Sequence, residues 1–156
     1  VAVLTLSDRA ARGEYEDESG ALLKSTLEAE GAEICDYRVI PDERDELTAT
    51  VRKIVKERKP NLLITTGGTG VSPRDITPEA LRPLFDKEIP GVGELLRSDG
   101  AQYTPLSWSS RAVGGVIGKT LVITLPGNPT AVREGLSTLL PSLIPHLIRI
   151  TNGEKP

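Results

Sequence analysis

Cysteine and histidine are almost absent from this chain of 156 residues, which contains one of each, Cys35 and His146. A single cysteine cannot form a disulfide within the chain, and we therefore expect a reducing, cytoplasmic setting. The pair is too small for a zinc site of the usual nitrogen and sulfur kind, and it argues against Ser-His or Cys-His acyl transfer. We interpret Cys35 as a buried small apolar residue and His146 as structural. Acids, bases and metal ligands are thus expected among the carboxylates.

Aromatic residues are also scarce, at 3% of the chain, and the formal net charge of −3 shows no basic excess. Nucleic-acid binders usually carry basic patches and aromatic stacking platforms, so we expect no nucleic-acid partner. No apolar run is long enough to span a bilayer, and we expect no membrane association. The length and the content of 38% hydrophobic residues suit one globular domain over residues 1–156.

Strand and helix patterns alternate along the chain. Apolar, β-rich runs predict strands at Val1–Leu6, Ile34–Ile40, Leu62–Thr65, Ala112–Ile117 and Lys119–Leu125, the last two as a hairpin around Gly118. Helical periodicity predicts helices at Glu16–Glu30, Arg44–Lys59, Thr77–Phe85, Ile89–Arg97 and Thr130–Ile150, the last broken or kinked near Pro141 and Pro145. This alternation predicts an α/β fold of three layers, in which a mostly parallel sheet lies between helices and a small hairpin is added in the C-terminal half.

The most informative segment is a glycine-rich turn, Thr66-Gly67-Gly68-Thr69-Gly70, which follows the third predicted strand. Glycines let backbone amides approach phosphate oxygens closely, because no Cβ blocks the path and a positive φ costs little. The turn is neither a P-loop, since Val71 follows Gly70, nor a dinucleotide fingerprint, since Pro73 stands where a third glycine or alanine is needed. A strand-to-helix turn without a ligand remains the simpler alternative.

A helix start follows this turn, with Thr77 as the predicted N-cap and Pro78 as the first helical residue. A second start follows Gly127, where Asn128 is predicted to cap a helix that begins with Pro129. Both helix N-termini would direct partial positive charge at an anion.

Polar residues follow each of the strands expected to be parallel. They are Ser7-Asp8-Arg9, Pro41-Asp42-Glu43, the glycine turn with Arg74 and Asp75, and Gly127-Asn128. Because ligands in doubly wound sheets bind beyond the carboxyl ends of the strands, we expect these residues to line one crevice. Asp42 and Asp75 are predicted to face each other there with Mg²⁺ and triphosphate oxygens between them. In the simpler alternatives, Asp42 is a turn residue and Asp75 braces its own loop.

Ser110 and Arg111 form a further candidate anion site, because a hydroxyl donor stands beside a planar guanidinium fork. An ordinary exposed loop is the alternative for this pair.

In combination these motifs resemble the molybdopterin adenylyltransferases, which include the bacterial MogA-type enzymes and the G domain of gephyrin and its plant counterpart. The resemblance runs from Leu4-Thr5-Leu6-Ser7-Asp8 to the final helix, and its motifs are Pro41–Glu43, Thr65–Gly70, Pro73–Ala80, Ser110-Arg111 and Leu125–Pro129.

The resemblance implies transfer of AMP from ATP, the co-substrate, to the terminal phosphate of molybdopterin, with Mg²⁺ as cofactor and pyrophosphate as the second product. It also implies a homotrimer, or a hexamer, and a hand-off of the product to a molybdenum-insertion protein. By position, Asp42 and Asp75 match the family's catalytic and metal-binding aspartates, and Ser110 and Arg111 match the region that binds the pterin's phosphate. The residues that match the nucleotide-binding side are Thr66, Gly67, Gly68, Thr69, Gly70, Gly127 and Asn128.

Other functions remain as alternatives to this activity. MoaB-like and gephyrin-like relatives suggest a molybdopterin-binding protein without turnover, and a nucleotide hydrolase on the same kind of sheet is a further option.

Overall fold

The computed structural model describes every residue of the chain, Val1–Pro156, and contains one six-stranded sheet in the order β2-β1-β3-β6-β5-β4. Strands β2, β1, β3 and β6 are parallel, whereas β5 is antiparallel to both of its neighbours. The mostly parallel sheet and the β5–β6 hairpin are thus confirmed. The strands are β1 (Ala2–Leu6), β2 (Asp36–Ile40), β3 (Leu62–Thr66), β4 (Lys87–Glu88), β5 (Gly114–Ile117) and β6 (Thr120–Leu125).

Helices cover both faces of the sheet, as the strand and helix alternation predicted. They are α1 (Asp8–Ala11), α2 (Glu18–Ala29), α3 (Arg44–Glu57), α4 (Thr77–Leu81), α5 (Pro90–Gly100), α6 (Pro129–Leu139) and α7 (Leu143–Thr151). No helix combines the length and the apolar composition that a bilayer crossing requires.

Side chains that alternate along the central strands supply two cores, one on each face of the sheet. In β1, Val3 belongs to the core under α2, α5, α6 and α7, whereas Leu4 belongs to the core under α3 and α4. Neighbouring residues of β3, Ile64 and Leu63, divide in the same way. Because β1 and β3 are buried on both faces, they are the rigid centre from which the strand ends project.

The predicted C-terminal helix is two helices, α6 and α7, which are separated at Leu140–Ser142. Pro141 lies in this break, where a missing backbone N–H costs nothing. Pro145 lies in the first turn of α7, a position that tolerates proline, so it does not break the helix.

Cys35 differs from the prediction, because β2 begins one residue later, at Asp36. The cysteine is half-buried at the margin of the core under α3 and forms no disulfide. His146 lies half-buried in α7, outside the cavity described below.

Several short elements were not predicted because they are too short to show periodicity. They are α1, β4 and the second of two 3₁₀ turns, Pro105–Ser109, whereas the first, Arg82–Leu84, continues α4 within the predicted helix Thr77–Phe85. Of these, α1 and the second 3₁₀ turn contribute residues to the cavity.

Candidate functional site

A cavity of about 900 Å³ lies at the edge of the sheet where β1, β2, β3 and β6 end, called here the carboxyl edge. The chain leaves β1 towards β2 and returns to β3 on the other side of β1, so the ends of β1 and β3 mark the switch point at which such sheets bind ligands. Ten of the eleven predicted site residues line this cavity: Asp42, Thr66, Gly67, Gly68, Thr69, Gly70, Asp75, Ser110, Gly127 and Asn128.

Glycines allow the ends of three strands, β1, β3 and β6, to approach one another closely at the cavity. Gly67 has a φ of +99°, and a Cβ on it would overlap the carbonyl oxygen of Leu6 at the end of β1. A Cβ on Gly127, which follows β6, would lie 3.3 Å from the Cα of Gly67. The hydroxyl of Ser19 in α2 donates to the carbonyl oxygen of Gly127 at 2.6 Å and fixes this approach from the other side.

Thr77 holds the second half of the glycine turn. Its hydroxyl donates to the carbonyl oxygen of Gly67 at 2.9 Å, and its amide donates to the carbonyl oxygen of Gly68 at 3.0 Å. Thr77 is the first helical residue rather than the N-cap, a position that Ile76 occupies without a side-chain bond. The predicted cap at Thr77 is therefore wrong, because its hydroxyl serves the turn instead of the helix.

The second predicted cap is confirmed, since Oδ1 of Asn128 accepts from the amide of Thr130 at 2.8 Å. The helix that it caps, α6, has 11 residues, whereas α4 has only five. The partial positive charge at the carboxyl edge therefore comes mainly from α6.

Asp42 is held at the end of β2 by the end of β1. Its Oδ2 accepts from the amide of Asp8 at 3.0 Å, and its own amide donates to Oδ1 of Asp8 at 2.9 Å. Burial raises the pKa of the Asp42 carboxyl, and the nearby negative charges of Asp8 and Asp75 add to the rise. The Asp42 and Asp75 carboxylates are thus within electrostatic reach of each other, and both residues line the cavity.

Asp75 also braces its own loop, in agreement with the simpler alternative for this residue. Its Oδ2 accepts from the amide of Ser72 at 2.9 Å and from the Ser72 hydroxyl at 2.8 Å. A Cβ on Gly70 would lie 2.7 Å from the same oxygen, so a larger residue there would have to displace the Asp75 carboxylate. These bonds involve Oδ2, and the Asp75 side chain also lines the cavity.

Arg111 is the one predicted site residue that does not line the cavity. Its Nε donates to the carbonyl oxygen of Gly70 at 2.7 Å, and its Nη2 donates to that of Asp75 at 3.0 Å. Its Nη1 donates to both carboxylate oxygens of Glu79, at 2.6 and 2.9 Å. The guanidinium is therefore engaged as a clamp around the glycine turn, while Ser110 beside it faces the cavity.

Two further arginines act as braces around the carboxyl edge. Arg74 donates to both carboxylate oxygens of Asp8, at 3.0 and 3.1 Å, and to Glu43 at 2.8 Å. The hydrogen bond from Arg74 lowers the pKa of Asp8. Arg97 donates to the carbonyl oxygens of Ser110 and Ala112, at 3.2 and 3.1 Å. Neither side chain lines the cavity.

The cavity lining is strongly acidic, which the sequence did not indicate, because most of its carboxylates lie outside the motifs. One basic side chain, that of Arg9, accompanies six carboxylates: Asp17, Glu18, Asp42, Asp75, Asp99 and Glu134. Asp17 had a recognisable signal, since it caps α2 by accepting from the amide of Gly20 at 2.9 Å. Asp99 and Glu134 lie within helices and carried no signal.

No group of three or more possible ligands is assembled for a metal ion. Two carboxylates nevertheless suit Mg²⁺, which commonly takes one or two of them and completes its shell with water and phosphate oxygens. The raised pKa of Asp42 beside a second negative charge fits this use, since a cation there would relieve an unfavourable charge. The donor set of Asp42 and Asp75 therefore fits a magnesium ion that arrives with a polyphosphate.

Comparison with known proteins gives close relatives over nearly the whole chain. The molybdopterin adenylyltransferase of Helicobacter pylori strain J99 is 39% identical over 155 residues, which are 98% of this chain and 88% of that protein. Gephyrin of Dictyostelium discoideum is 38% identical over 164 residues, which are 99% of this chain and 23% of gephyrin.

A solved structure gives the same result for the fold. The crystal structure of the molybdopterin biosynthesis enzyme MoaB from Thermus thermophilus is 40% identical and has a TM-score of 0.90, over 98% of this chain and 96% of that one. Residues 2–146 match the family described as a probable molybdopterin binding domain. The chain belongs to this molybdopterin-binding family.

Proposed function

We propose that this protein transfers AMP from ATP to the terminal phosphate of molybdopterin in molybdenum cofactor biosynthesis. One observation carries the proposal: Asp42, Asp75 and the glycine turn line one cavity at the carboxyl edge, where the negative charge of Asp75 contributes to the raised pKa of Asp42. The identity of 39% to a molybdopterin adenylyltransferase over nearly the full chain supports the same activity.

In this reaction an oxygen of the molybdopterin phosphate attacks the α-phosphorus of ATP. The bond between the α-phosphorus and the bridging oxygen to the β-phosphorus breaks, and pyrophosphate leaves with the bonding electrons. The attacking phosphate is already anionic at neutral pH, so the chain does not need a strong general base. Positioning and charge neutralisation are the main requirements of such a transfer.

The chain provides these functions through groups at the carboxyl edge. Asp42 and Asp75 would hold Mg²⁺, which supplies neutralisation of the polyphosphate charge when bound. Backbone amides of the glycine turn and the capped N-terminus of α6 would donate to phosphate oxygens. Ser110 lines the cavity and would donate its hydroxyl to the pterin's phosphate, whereas Arg111 would first have to release its present partners.

The oligomeric state, the partner protein and the location are inferred only from the resemblance and the composition. A homotrimer or hexamer, a molybdenum-insertion protein that accepts the product, and a cytoplasmic location all stay predictions. Sedimentation of the purified chain would test the first of them.

Incubation of the protein with ATP, Mg²⁺ and molybdopterin tests the activity. We expect pyrophosphate and adenylylated pterin to appear together in equal amounts. Bound pterin without pyrophosphate would instead indicate a binding protein, and pyrophosphate or phosphate release without pterin would indicate a hydrolase.

The variant Asp75→Asn tests the site in the same assay. It should abolish AMP transfer and leave the fold and much of the pterin affinity intact, because an asparagine oxygen still accepts from Ser72. Asp86→Asn is the matched control, since Asp86 accepts from the amide of Gly118 at 2.7 Å and lies outside the cavity. Full activity of Asp75→Asn would contradict the assignment.

A further inference from the structure

Arg9 differs from the other arginines of the carboxyl edge because it is one of the residues that line the cavity. Arg74, Arg97 and Arg111 are tied to carboxylates or carbonyl oxygens of the protein and do not line it. Arg9 alone brings a positive side chain to a lining with six carboxylates. Both proposed substrates are anions, so the single lining guanidinium stands where a charge-assisted contact has the most effect.

Two contacts place the Arg9 side chain at the cavity rim. Its guanidinium carbon lies 5.0 Å from the centroid of the Tyr15 ring, within cation–π range. The Tyr15 hydroxyl is hydrogen-bonded to the Ser7 hydroxyl at 2.7 Å, immediately beyond β1. The ring that supports Arg9 is thus itself anchored to a strand end at the switch point.

Arg9 can give up its present ion pair with Glu14 in exchange for another anionic partner. Nε of Arg9 lies 3.4 Å from Oε2 of Glu14, an ion pair rather than a close hydrogen bond. Nε of Arg12 donates to Oε1 of the same carboxylate at 2.9 Å. Glu14 therefore keeps a partner when Arg9 leaves, and the movement of an exposed side chain costs little.

We infer that Arg9 exchanges Glu14 for the β- and γ-phosphate oxygens of the nucleotide, and later contacts the departing pyrophosphate. The inference rests on the proposed function and adds a polyphosphate-binding residue to it. The position of Arg9 favours the polyphosphate over the pterin's phosphate, because Arg9 directly follows Asp8, whose amide donates to Asp42. The backbone of Arg9 therefore adjoins the end of β1 that holds Asp42, one of the two carboxylates proposed for the metal ion of the polyphosphate.

Binding of inorganic tripolyphosphate with Mg²⁺, measured by calorimetry on the whole chain, tests this role. We expect binding to weaken about tenfold in Arg9→Gln, as for the loss of one exposed contact to a charged group. Arg9→Lys should fall between this variant and the original protein, because lysine keeps the charge without the planar fork.

Arg12→Gln is the matched control. It removes the same charge from the same segment and the same partner, Glu14, but Arg12 does not line the cavity. We expect its affinity for tripolyphosphate to stay within about twofold of the original, since an exposed charge outside the cavity is screened by salt and the loss of the second partner of Glu14 in an exposed ion pair costs little.

Several results would overturn the inference: no binding of tripolyphosphate to the original protein, unchanged binding in Arg9→Gln, or an equal loss in Arg12→Gln. A rise in KM for molybdopterin alone in Arg9→Gln would assign Arg9 to the pterin's phosphate and would overturn the inference as well.

These experiments also separate the inference from the proposed function. Arg9-dependent tripolyphosphate binding without AMP transfer would refute the function alone, and AMP transfer that ignores Arg9 would refute the inference alone.

Discussion

Asp8 and Asp42 are reciprocal partners, since the backbone amide of each donates to the carboxylate of the other, at 3.0 and 2.9 Å. The two bonds join the ends of β1 and β2, which lie side by side in the sheet. Arg74, from the loop after the glycine turn, holds the outer side of Asp8 with two further bonds. Asp8 is thus a positioning residue that holds Asp42 through its amide and through Oδ2, whereas Oδ1 of Asp42 accepts no hydrogen bond from the protein.

Asp8→Ala should lower kcat for AMP transfer about 10- to 100-fold, because small displacements of a catalytic group are costly. The Mg²⁺ concentration that gives half the maximal rate should rise in the same variant. Asp8→Asn should lose less, since its side-chain oxygen still accepts from the Asp42 amide. Initial rates over a magnesium series at saturating ATP give both quantities.

Glu43→Gln is the control for this prediction, because it removes only the outer carboxylate partner of Arg74. Its effect on kcat should stay within about twofold, as for most exposed ion pairs. Equal activity of Asp8→Ala and the original protein would show that the reciprocal pair is dispensable.

Arg111→Lys should lower the free energy of unfolding by about 1–3 kcal/mol, because the carbonyl oxygens of Gly70 and Asp75 lose their donors. If Arg111 is a clamp, KM should rise for ATP and for molybdopterin together, as the glycine turn loosens. Urea unfolding and steady-state kinetics measure the two effects.

Arg82→Lys serves as the control for this clamp, since Arg82 pairs with Glu88 at 2.8 Å away from the cavity. A direct role of Arg111 in binding the pterin's phosphate predicts a different result. In that case KM rises for molybdopterin alone, and stability matches that of Arg82→Lys.

Gly68→Ala should destabilise the fold by more than the roughly 1–2 kcal/mol of left-handed strain. Gly68 has a φ of +71°, and an added Cβ would also overlap the Thr77 hydroxyl. Gly118→Ala isolates the strain, because Gly118 has a φ of +60° and no heavy atom within 4 Å of an added Cβ. Urea unfolding of both variants should show the larger loss for Gly68→Ala, and equal losses would show that Thr77 yields without cost.

Asp36 should contribute a stability that is lost in acid. The hydrogen bond from Arg38, at 2.9 Å, lowers the pKa of Asp36 below its usual value, and Arg58 adds to the effect. As the pH falls, Asp36 is therefore protonated in the unfolded chain before it is protonated in the folded chain. Its contribution to stability is present above about pH 4 and is lost as the pH falls through its pKa in the folded chain.

Asp36→Asn should thus be less stable at pH 7, by about 1 kcal/mol or less, but should lose less stability between pH 5 and pH 2. Arg38→Gln should likewise reduce the loss of stability between pH 5 and pH 2, because it removes the main cause of the lowered pKa of Asp36. Urea unfolding at a series of pH values measures these slopes, and an unchanged slope in Asp36→Asn would contradict the assignment.

The fold could be predicted from the sequence because the periodic segments are long and the turn residues are typical of particular turns and helix starts. Apolar runs located β1, β3 and β6, and the Gly-Asn-Pro signal located the start of α6. Boundaries shifted where periodicity ended gradually, as at Cys35. The break at Pro141 was predicted as either a break or a kink, because a proline permits both.

The cavity-lining residues at the strand ends were also predictable, because strand ends that share a direction share an edge. The partners of the arginines were not, since a guanidinium can reach a carbonyl oxygen far away in the sequence. Arg111 contacts the carbonyl oxygen of Gly70, 41 residues earlier, and no spacing rule describes such a bond. The acidic lining was missed for a related reason, because Asp99 and Glu134 reach the cavity only through the placement of α5 and α6.

The hydroxyl of Ser19 donates to the carbonyl oxygen of Gly127, 108 residues later in the chain. This contact has a consequence for the folding of the chain during its own translation. A chain emerging from the ribosome has no complete cavity until β6 has paired with β3 and the turn after it has reached α2. Substrates can therefore bind only after the sheet is assembled. Their binding should stabilise the folded chain against global unfolding rather than against local fraying.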